Sequence, residues 1–520
     1  MTSLFDSRVP SSTVETSALV DRSRIGTLLR ELIDKSGYSI NRLASEAGVD
    51  RSSLTHVCNN KRLPSPEMIE AVLPLLKVTP QERTEFYDLW ERAKLGDGVW
   101  ANRRAFRKMV EDSAAFVHAE ESPVHAPRYV RAAGAGEDGD DPQVFEGLCR
   151  GTNLLVQVLL DQILTEADRP NPRVALMLPA SSRLLETFMG YLLDLEPQLL
   201  DRVDLRLLIP MSRVSSIYEQ SEGTQQNIRS MTTLIPSFVR HPQRIQVAYY
   251  YLDGSSRMGN ATMPDQLFPY YLLTSQSVTL ISITPQPVGY TAHDSELVDH
   301  TWYRFEDAWA VALPLFETAP DLGIMVDRLN DTSIADNASW TIELQPCVTM
   351  CLTDEQIERY ARQELPQRDL LVDLLQMRCQ ALRQQRGHVS IFSREGAERF
   401  MRDGVLGDIP QWGMLPLEPA DRIKLIREVA DAAKSERVEL HMVNPAVFVV
   451  PGRTALVVSD LPDLTVVTLN ADGSFTYAHV METSLRDAAV DFARALSASP
   501  YVTTCEEAIA FLEGLVAKEG

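Results

Sequence analysis

A short run near the amino terminus gathers side chains suited to reading nucleic acid. Arg51, Ser52, Ser53, Thr55 and His56 lie close together, with Leu54 and Val57 interleaved at helical spacing. A helix carrying them would bury the two aliphatic residues and turn the polar set outward. A guanidinium can donate two parallel hydrogen bonds to guanine, and hydroxyl and imidazole groups can reach other base edges in the major groove. Asn59, Lys61 and Arg62 follow, and Ser39 and Arg42 lie just upstream. Such groups suit phosphate oxygens, which fix register without reading sequence.

The elements that must position these groups are visible in the spacing. Ser39 and Asp50 stand where N-caps are wanted. Leu43, Ala44 and Ala47 form the inner face of one helix, and Gly48 supplies the backbone freedom for a tight turn. Val49, Leu54 and Val57 point inward from the next helix. A preceding amphipathic helix carries Ile25, Leu28, Leu29 and Leu32. Ser65-Pro66 opens another, with Met68, Ile69, Val72, Leu75 and Leu76 on its apolar side. Thr79-Pro80 opens a fifth, through Phe86, Leu89 and Trp90. An all-α helix-turn-helix domain over residues 21–95 is expected.

On Leu43-Ala44, Gly48-Val49-Asp50, Leu54-Thr55 and Asn59-Asn60-Lys61-Arg62-Leu63-Pro64, the stretch Ile25 to Leu95 resembles the Cro/cI-type, or Xre-family, DNA-binding domain. The resemblance implies that Arg51, Ser52 and His56 reach base edges and that Asn59, Lys61 and Arg62 lie near phosphates. The chain departs from the family at three positions. Ile40 stands where Gln often contacts phosphate, Cys58 replaces a common Glu, and Asn60 replaces a common Gly. Asn tolerates left-handed backbone better than most residues. The implied partner is a double-stranded DNA operator, bound by a homodimer on an inverted repeat, because one module buries too little surface for genomic specificity. The residues also admit a blander reading, a helical bundle used for protein contacts.

Charge separates this segment from the rest. From Asp21 to Lys108 there are 16 Lys and Arg against 12 Asp and Glu, a balance of +4, while the whole chain stands at −22. The remainder therefore sums to −26. A weakly basic module on an acidic body suits DNA held at one end. Arg103, Arg104, Arg107 and Lys108 extend the basic stretch, either as a phosphate-touching tail or as a solvated helix face.

At 520 residues the chain has room for two to four domains. Residues 1–20 are polar and expected to be disordered, and 96–142 read as a linker ending in the Gly- and Asp-rich run Ala133 to Pro142. Beyond it a large α/β or α+β region is expected, as two lobes over 143–330 and 331–520. Val144 to Ile163 reads as a helix burying Leu148, Leu155, Val158 and Leu159. Arg173 to Pro179, the helix Ser182 to Leu195 and Asp204 to Pro210 form a strand–helix–strand unit, which favours a parallel pair. Ile245 to Leu252, Tyr270 to Thr274 and Val278 to Ile283 read as strands, closed by a helix over His300 to Phe316. The second half offers strands at Ser339 to Thr349, His388 to Phe392, Val438 to Val443, Ala455 to Val458 and Leu464 to Leu469. A helix is expected over Leu370 to Arg386. Asn470 to Gly473 reads as a hairpin turn into Phe475 to Ala478. Two helices, Ser484 to Ser497 and Cys505 to Ala517, end the chain. This element order resembles the phospholipase D-like fold, which pairs two such lobes. That family's catalytic motif needs a His followed two residues later by Lys, and none of the nine His here has that neighbour.

Other chemistry is sparse. Neither a phosphate-binding Gly-x-x-x-x-Gly-Lys-Ser/Thr loop, a Gly-x-Ser-x-Gly elbow nor a His-Glu-x-x-His motif is present. His293-Asp294 with Glu296, Asp299 and His300 is either a metal or acid–base site or a helix start with solvated carboxylates. Cys347 and Cys351 are half of a metal site or core thiols. Tyr249, Tyr250, Tyr251, Tyr270, Tyr271, Trp302 and Trp309 line a pocket or fill a core. The six cysteines lack a paired framework, as expected in a reducing cytoplasm. The amino terminus lacks a basic-then-apolar leader, and no apolar run suits a membrane span. The sequence therefore predicts a cytoplasmic, non-enzymatic transcription regulator without cofactor. Its body would dimerise and sense a small-molecule or protein effector. The competing classes are a protein-interaction scaffold and an enzyme targeted to DNA.

Overall fold

The computed structural model describes residues 12–95, 97–118, 145–194, 202–214, 222–240, 243–251, 268–283, 286–318, 338–365, 368–409, 411–445, 448–450, 452, 454–461, 463–469, 475–499 and 501–519. The chain divides into two compact units. One is residues 1–104 with the short stretches 215–222 and 445–448, and the other is the remainder.

The first unit is helical: α1 (Ser12–Ser36), α2 (Ile40–Glu46), α3 (Arg51–Cys58), α4 (Pro66–Val72) and α5 (Pro80–Leu95). Its core is the stripe set by the spacing. Ile25, Leu29, Leu32, Leu43, Ala44, Leu54, Val57, Met68, Ile69, Val72, Phe86 and Trp90 are all buried. Lys35 on α1 is ion-paired with Glu82 on α5 at 2.7 Å. Trp90 Nε1 donates to Pro64 O at 2.9 Å, so α5 pins the loop that follows α3.

Two boundaries differ from expectation. α1 begins at Ser12, inside the stretch 1–20 expected to be disordered. A further helix, α6 (Asp97–His118), occupies most of the expected linker's first half. Asn102, Phe106, Met109 and Val110 are buried at helical spacing. The arginines between them disguise that stripe in the sequence. Phe106 packs on Phe492 at 5.0 Å between ring centroids. Residues 119–142, with the Gly- and Asp-rich run, lie outside the described residues.

The second unit holds two mixed sheets built to one plan. The first lobe comprises β1 (Gly147–Arg150), α7 (Thr152–Ala167), β2 (Arg173–Met177), α8 (Arg183–Asp194), β3 (Asp204–Met211), α9 (Glu222–Arg240), β4 (Ile245–Tyr251), β5 (Tyr270–Leu273), β6 (Val278–Ser282), β7 (Val288–Ala292), α10 (Ser295–Val311) and β8 (Leu313–Pro314). The second comprises β9 (Phe316–Thr318), β10 (Ser339–Ile342), α11 (Asp354–Tyr360), α12 (Arg368–Gln384), β11 (His388–Phe392), α13 (Arg394–Asp403), α14 (Pro419–Lys434), β12 (Val438–Met442), β13 (Thr454–Ser459), β14 (Asp463–Leu469), β15 (Phe475–Val480), α15 (Thr483–Ser497) and α16 (Cys505–Glu519). The sheet orders are β1-β7-β6-β5-β2-β3-β4-β8 and β12-β11-β10-β13-β14-β15-β9.

In each lobe three strands run parallel, β2-β3-β4 and β10-β11-β12. Helical crossovers make that possible, because parallel neighbours cannot be joined by a hairpin. Three antiparallel strands then extend the other side, β5-β6-β7 and β13-β14-β15. The last of these pairs antiparallel with a strand from the start of the lobe, β1 or β9. The expected pair of related α/β lobes is thus present as a repeated topology. The lobes meet where Phe238 stacks on Phe316 at 4.5 Å and Tyr251 Oη donates to Glu482 Oε1 at 2.9 Å.

Several boundaries move. β8 joins the first sheet and β9 the second, so the lobes divide at the fully buried Leu315 rather than at 330/331. The aromatic helix expected over His300 to Phe316 is α10, Ser295–Val311, started by its Asp294 cap. The single helix expected from Val144 is a strand and then a helix, broken at Gly151 with φ 91. Leu148 therefore sits on a strand face, 51 % exposed, and not in the core. The strand expected over Ser339 to Thr349 stops at Ile342 and is followed by a 3-10 turn, Val348–Cys351. The turn Asn470 to Gly473 lies outside the described residues, and its flanks pair antiparallel with Leu469 opposite Phe475.

Candidate nucleic-acid interface

The helix pair α2–α3 is fixed at each end by local hydrogen bonds. Ser39 Oγ accepts from Arg42 N at 3.3 Å and starts α2. The helix ends at Gly48, φ 65, with Gly48 N donating to Ser45 O and Val49 N to Ala44 O at 3.0 Å. That pair of bonds is a Schellman closure, which needs a residue tolerant of left-handed backbone. Asp50 caps α3: its Oδ2 accepts from Ser53 N at 2.7 Å and from Ser52 Oγ at 2.5 Å. The Ser52 hydroxyl, then the Ser53 amide, hold the Asp50 carboxyl down to about 2. α3 closes the same way, with Asn60 N to Val57 O at 2.9 Å and Lys61 N to His56 O at 2.8 Å. Here Asn60, φ 61, takes the place of glycine. Arg30 of α1 adds a side-chain lock, donating through Nη2 to Cys58 O at 2.9 Å and Asn59 Oδ1 at 2.6 Å.

These bonds sort the candidate residues. Arg51, His56 and Lys61 are exposed, and their side chains have no hydrogen bond or ion pair among the described residues. Ser52 donates to Asp50, and Thr55 Oγ1 donates to Arg51 O at 2.8 Å, so both hydroxyl protons are used within the helix. Ser53 Oγ accepts from Arg62 Nη1 at 3.4 Å. Asn59 is held by Arg30. Arg42 donates to Glu46 Oε1 at 2.8 Å and lies 5.0 Å from the Tyr38 ring, whose hydroxyl binds the other Glu46 oxygen. Of the expected phosphate contacts, Lys61 is therefore the most available, whereas Arg42 is already engaged through Nε with Glu46. Ile40 opens α2 half-buried. The sequence shows neither the Arg30 lock nor the Tyr38–Glu46 bond, whereas the four-residue spacing of Arg42 and Glu46 is a readable signal for their ion pair.

The basic run beyond α5 divides. Arg104 lies 5.1 Å from the Trp100 ring, while Arg107 is ion-paired with Glu111 at 3.1 Å and stacked over Tyr501. Arg107 is thus engaged in packing instead of forming a free tail.

Elsewhere the clusters resolve into structural roles. Asp294 caps α10 by accepting from Leu297 N at 2.8 Å, and His293 Nε2 lies 3.0 Å from Phe145 O, ahead of the helix. His293 and His300 therefore do not share a helix face. Among the described residues no group of three or more His, Cys, Asp or Glu could hold a metal ion. Cys347 is a buried free thiol and Cys351 a half-buried one. Tyr249, Tyr250 and Trp302 are buried in the first lobe. In the second lobe, Glu343 is buried near Asp408, Arg378 and Cys347; burial and then the Asp408 charge push its carboxyl up to about 8. Asp408 accepts from Thr349 Oγ1 at 2.6 Å and is also raised by burial.

Residues 24–86 match a family model described as a helix-turn-helix domain. They form one here, followed by mixed α/β lobes. No curated protein matches the chain. Among solved structures it is similar to TrmBL2, an archaeal chromatin protein whose structure was described as showing a novel mode of DNA binding. That match has 12 % identity and a TM-score of 0.21, over 56 % of this chain and 99 % of the other. A second match is the phosphatidylserine synthase of Haemophilus influenzae Rd KW20, with 9 % identity and a TM-score of 0.23, over 72 % and 92 %. Neither TM-score is high enough to assign a fold. No described helix is long and apolar enough to cross a membrane.

Proposed function

We propose that this chain is a sequence-specific transcription regulator of the Xre type, working in the cytoplasm as a homodimer on an inverted-repeat operator. The observation that carries the reading is the state of α3. It is capped at both ends and presents Arg51 and His56 outward, with Lys61 exposed in the turn just beyond it, and none of the three has a competing partner among the described residues. Free donors on a rigid helix suit base and phosphate contacts, because little ordering remains to be done on binding. Arg51 is assigned to guanine, with His56, Ser52, Ser53 and Thr55 assisting through their acceptor atoms. Lys61 and Arg62 hold phosphates, joined by Ser39, Asn59 and Arg42 once DNA competes for them.

The lobes serve as a dimerising and effector-sensing body, not as an enzyme. The missing His-x-Lys spacing supports that assignment. The part-buried contact of Tyr251 with Glu482 gives the two lobes a hydrogen-bonded joint that an effector could bias. Selection of bound sequences from a random duplex pool tests the reading. A recovered motif with two-fold symmetry supports it, and a pool that stays random overturns it.

A further inference from the structure

β1 is the outer edge of the eight-stranded sheet. It pairs with β7 on one side, and no described strand covers the other. Half of its backbone donors and acceptors therefore point away from β7. Gly147 has nothing within 4 Å of where a Cβ would stand, so the sheet face at the start of this strand is uncrowded. Leu148 is 51 % exposed, and Tyr290, opposite it on β7, is 40 % exposed. Phe145 adds a third exposed apolar side chain at the same edge.

The charges beside this apolar patch fit a second copy. Glu146 and Arg150 are exposed and have no hydrogen bond or ion pair among the described residues. They stand two residues either side of Leu148, so the sequence is self-complementary about that residue. In an antiparallel pairing with its two-fold axis at Leu148, Glu146 of each copy faces Arg150 of the other. Centring the pairing on Glu146 or on Arg150 instead would set like charges face to face. Edge strands usually carry charge that discourages pairing. Only the register centred on Leu148 sets Glu146 against Arg150; centred on Gly147 or Cys149, Leu148 faces one of these charges instead.

We propose that two copies of this chain join through β1, strand to strand, so that the eight-stranded sheet continues across the dimer. The proposal rests on the dimeric regulator reading for its purpose, but its test is separate. Sedimentation of the full chain is compared for the wild type, Glu146→Arg, Arg150→Glu and the double exchange. Both positions are exposed, and circular dichroism checks that each variant folds. The wild type is expected to dimerise. Each single reversal is expected to raise the dimer dissociation constant about tenfold, the scale of two cross-strand pairs turned to like charge. The double exchange is expected to restore it. A monomeric wild type, a dimer indifferent to both single reversals, or a double exchange no better than the singles would overturn the proposal. A wild-type monomer that still selects an operator would remove this interface and leave DNA reading standing. A dimer lost on single reversal that ignores DNA would do the opposite.

Discussion

Gly26 on α1 and Asn60 after α3 approach so closely that only a hydrogen fits between them. A Cβ at Gly26 would stand 2.0 Å from Asn60 Oδ1 and 2.5 Å from Val57 O. The first helix is thus seated against the closing turn of α3, and Arg30, one turn further along α1, bonds to the same turn. Gly26→Ala should therefore destabilise the helical unit by about 1–3 kcal/mol through overpacking. It should do so although alanine is the better helix former. Thermal denaturation of the full chain reads this; an unchanged or raised midpoint for the helical transition would contradict the packing.

Asn60 itself is held at φ 61. A β-branched residue resists that backbone, so Asn60→Val should cost about 1–2 kcal/mol. Asn60→Gly should be close to neutral. Equal losses from both would show that the side chain of Asn60, and not its backbone freedom, secures the turn.

Arg51 and Lys61 are both unengaged but are assigned different work. Arg51→Ala should cost about 1–3 kcal/mol at one base position of the operator and relax the preference there. Lys61→Ala should weaken binding to all sequences alike and reduce the salt slope by about one unit. Competition binding with single-base operator variants separates the two. Uniform loss from Arg51→Ala would remove it from base reading.

Buried Glu343 should make the stability of the second lobe depend on pH. Its folded pKa is raised to about 8 by burial and by Asp408, so the protonated form is the one that favours folding. Its contribution is fully present below the ordinary carboxylate range and is lost as pH rises through about 8. His388, also buried and lowered to about 4, acts in the opposite sense as pH falls below its usual range. The comparison is therefore made above about pH 6.5, where an unperturbed histidine is neutral. There the wild-type midpoint should fall with pH more steeply than that of Glu343→Gln. Parallel curves would mean that Glu343 is already charged at neutral pH.

The sequence spelled out the helical unit because its cues are local. Ser39, Asp50 and Gly48 act within four residues of where they stand, and each occupies the cap or turn expected of it. The strands of both lobes were also legible from short apolar runs. What was hidden depends on distant partners. α6 buries Phe106 against Phe492, and the basic residues among Phe106, Met109 and Val110 disguise the short apolar stripe that would announce it. β1 reads as part of a helix in the sequence because Leu148 and Leu155 share helical spacing, and only Gly151 marks the break. At the interface, residue types were readable and their availability was not. Glu46 and Arg30 decide which of Arg42 and Asn59 is free, and they lie on other turns or another helix.

Binding of the full chain to the DNA upstream of its own gene, against scrambled duplex and at two salt concentrations, tests the central claim most directly. The account predicts tight binding that prefers the native sequence and weakens steeply with salt. Equal affinity for both duplexes, or none at low salt, would contradict sequence-specific regulation through Arg51 and its neighbours.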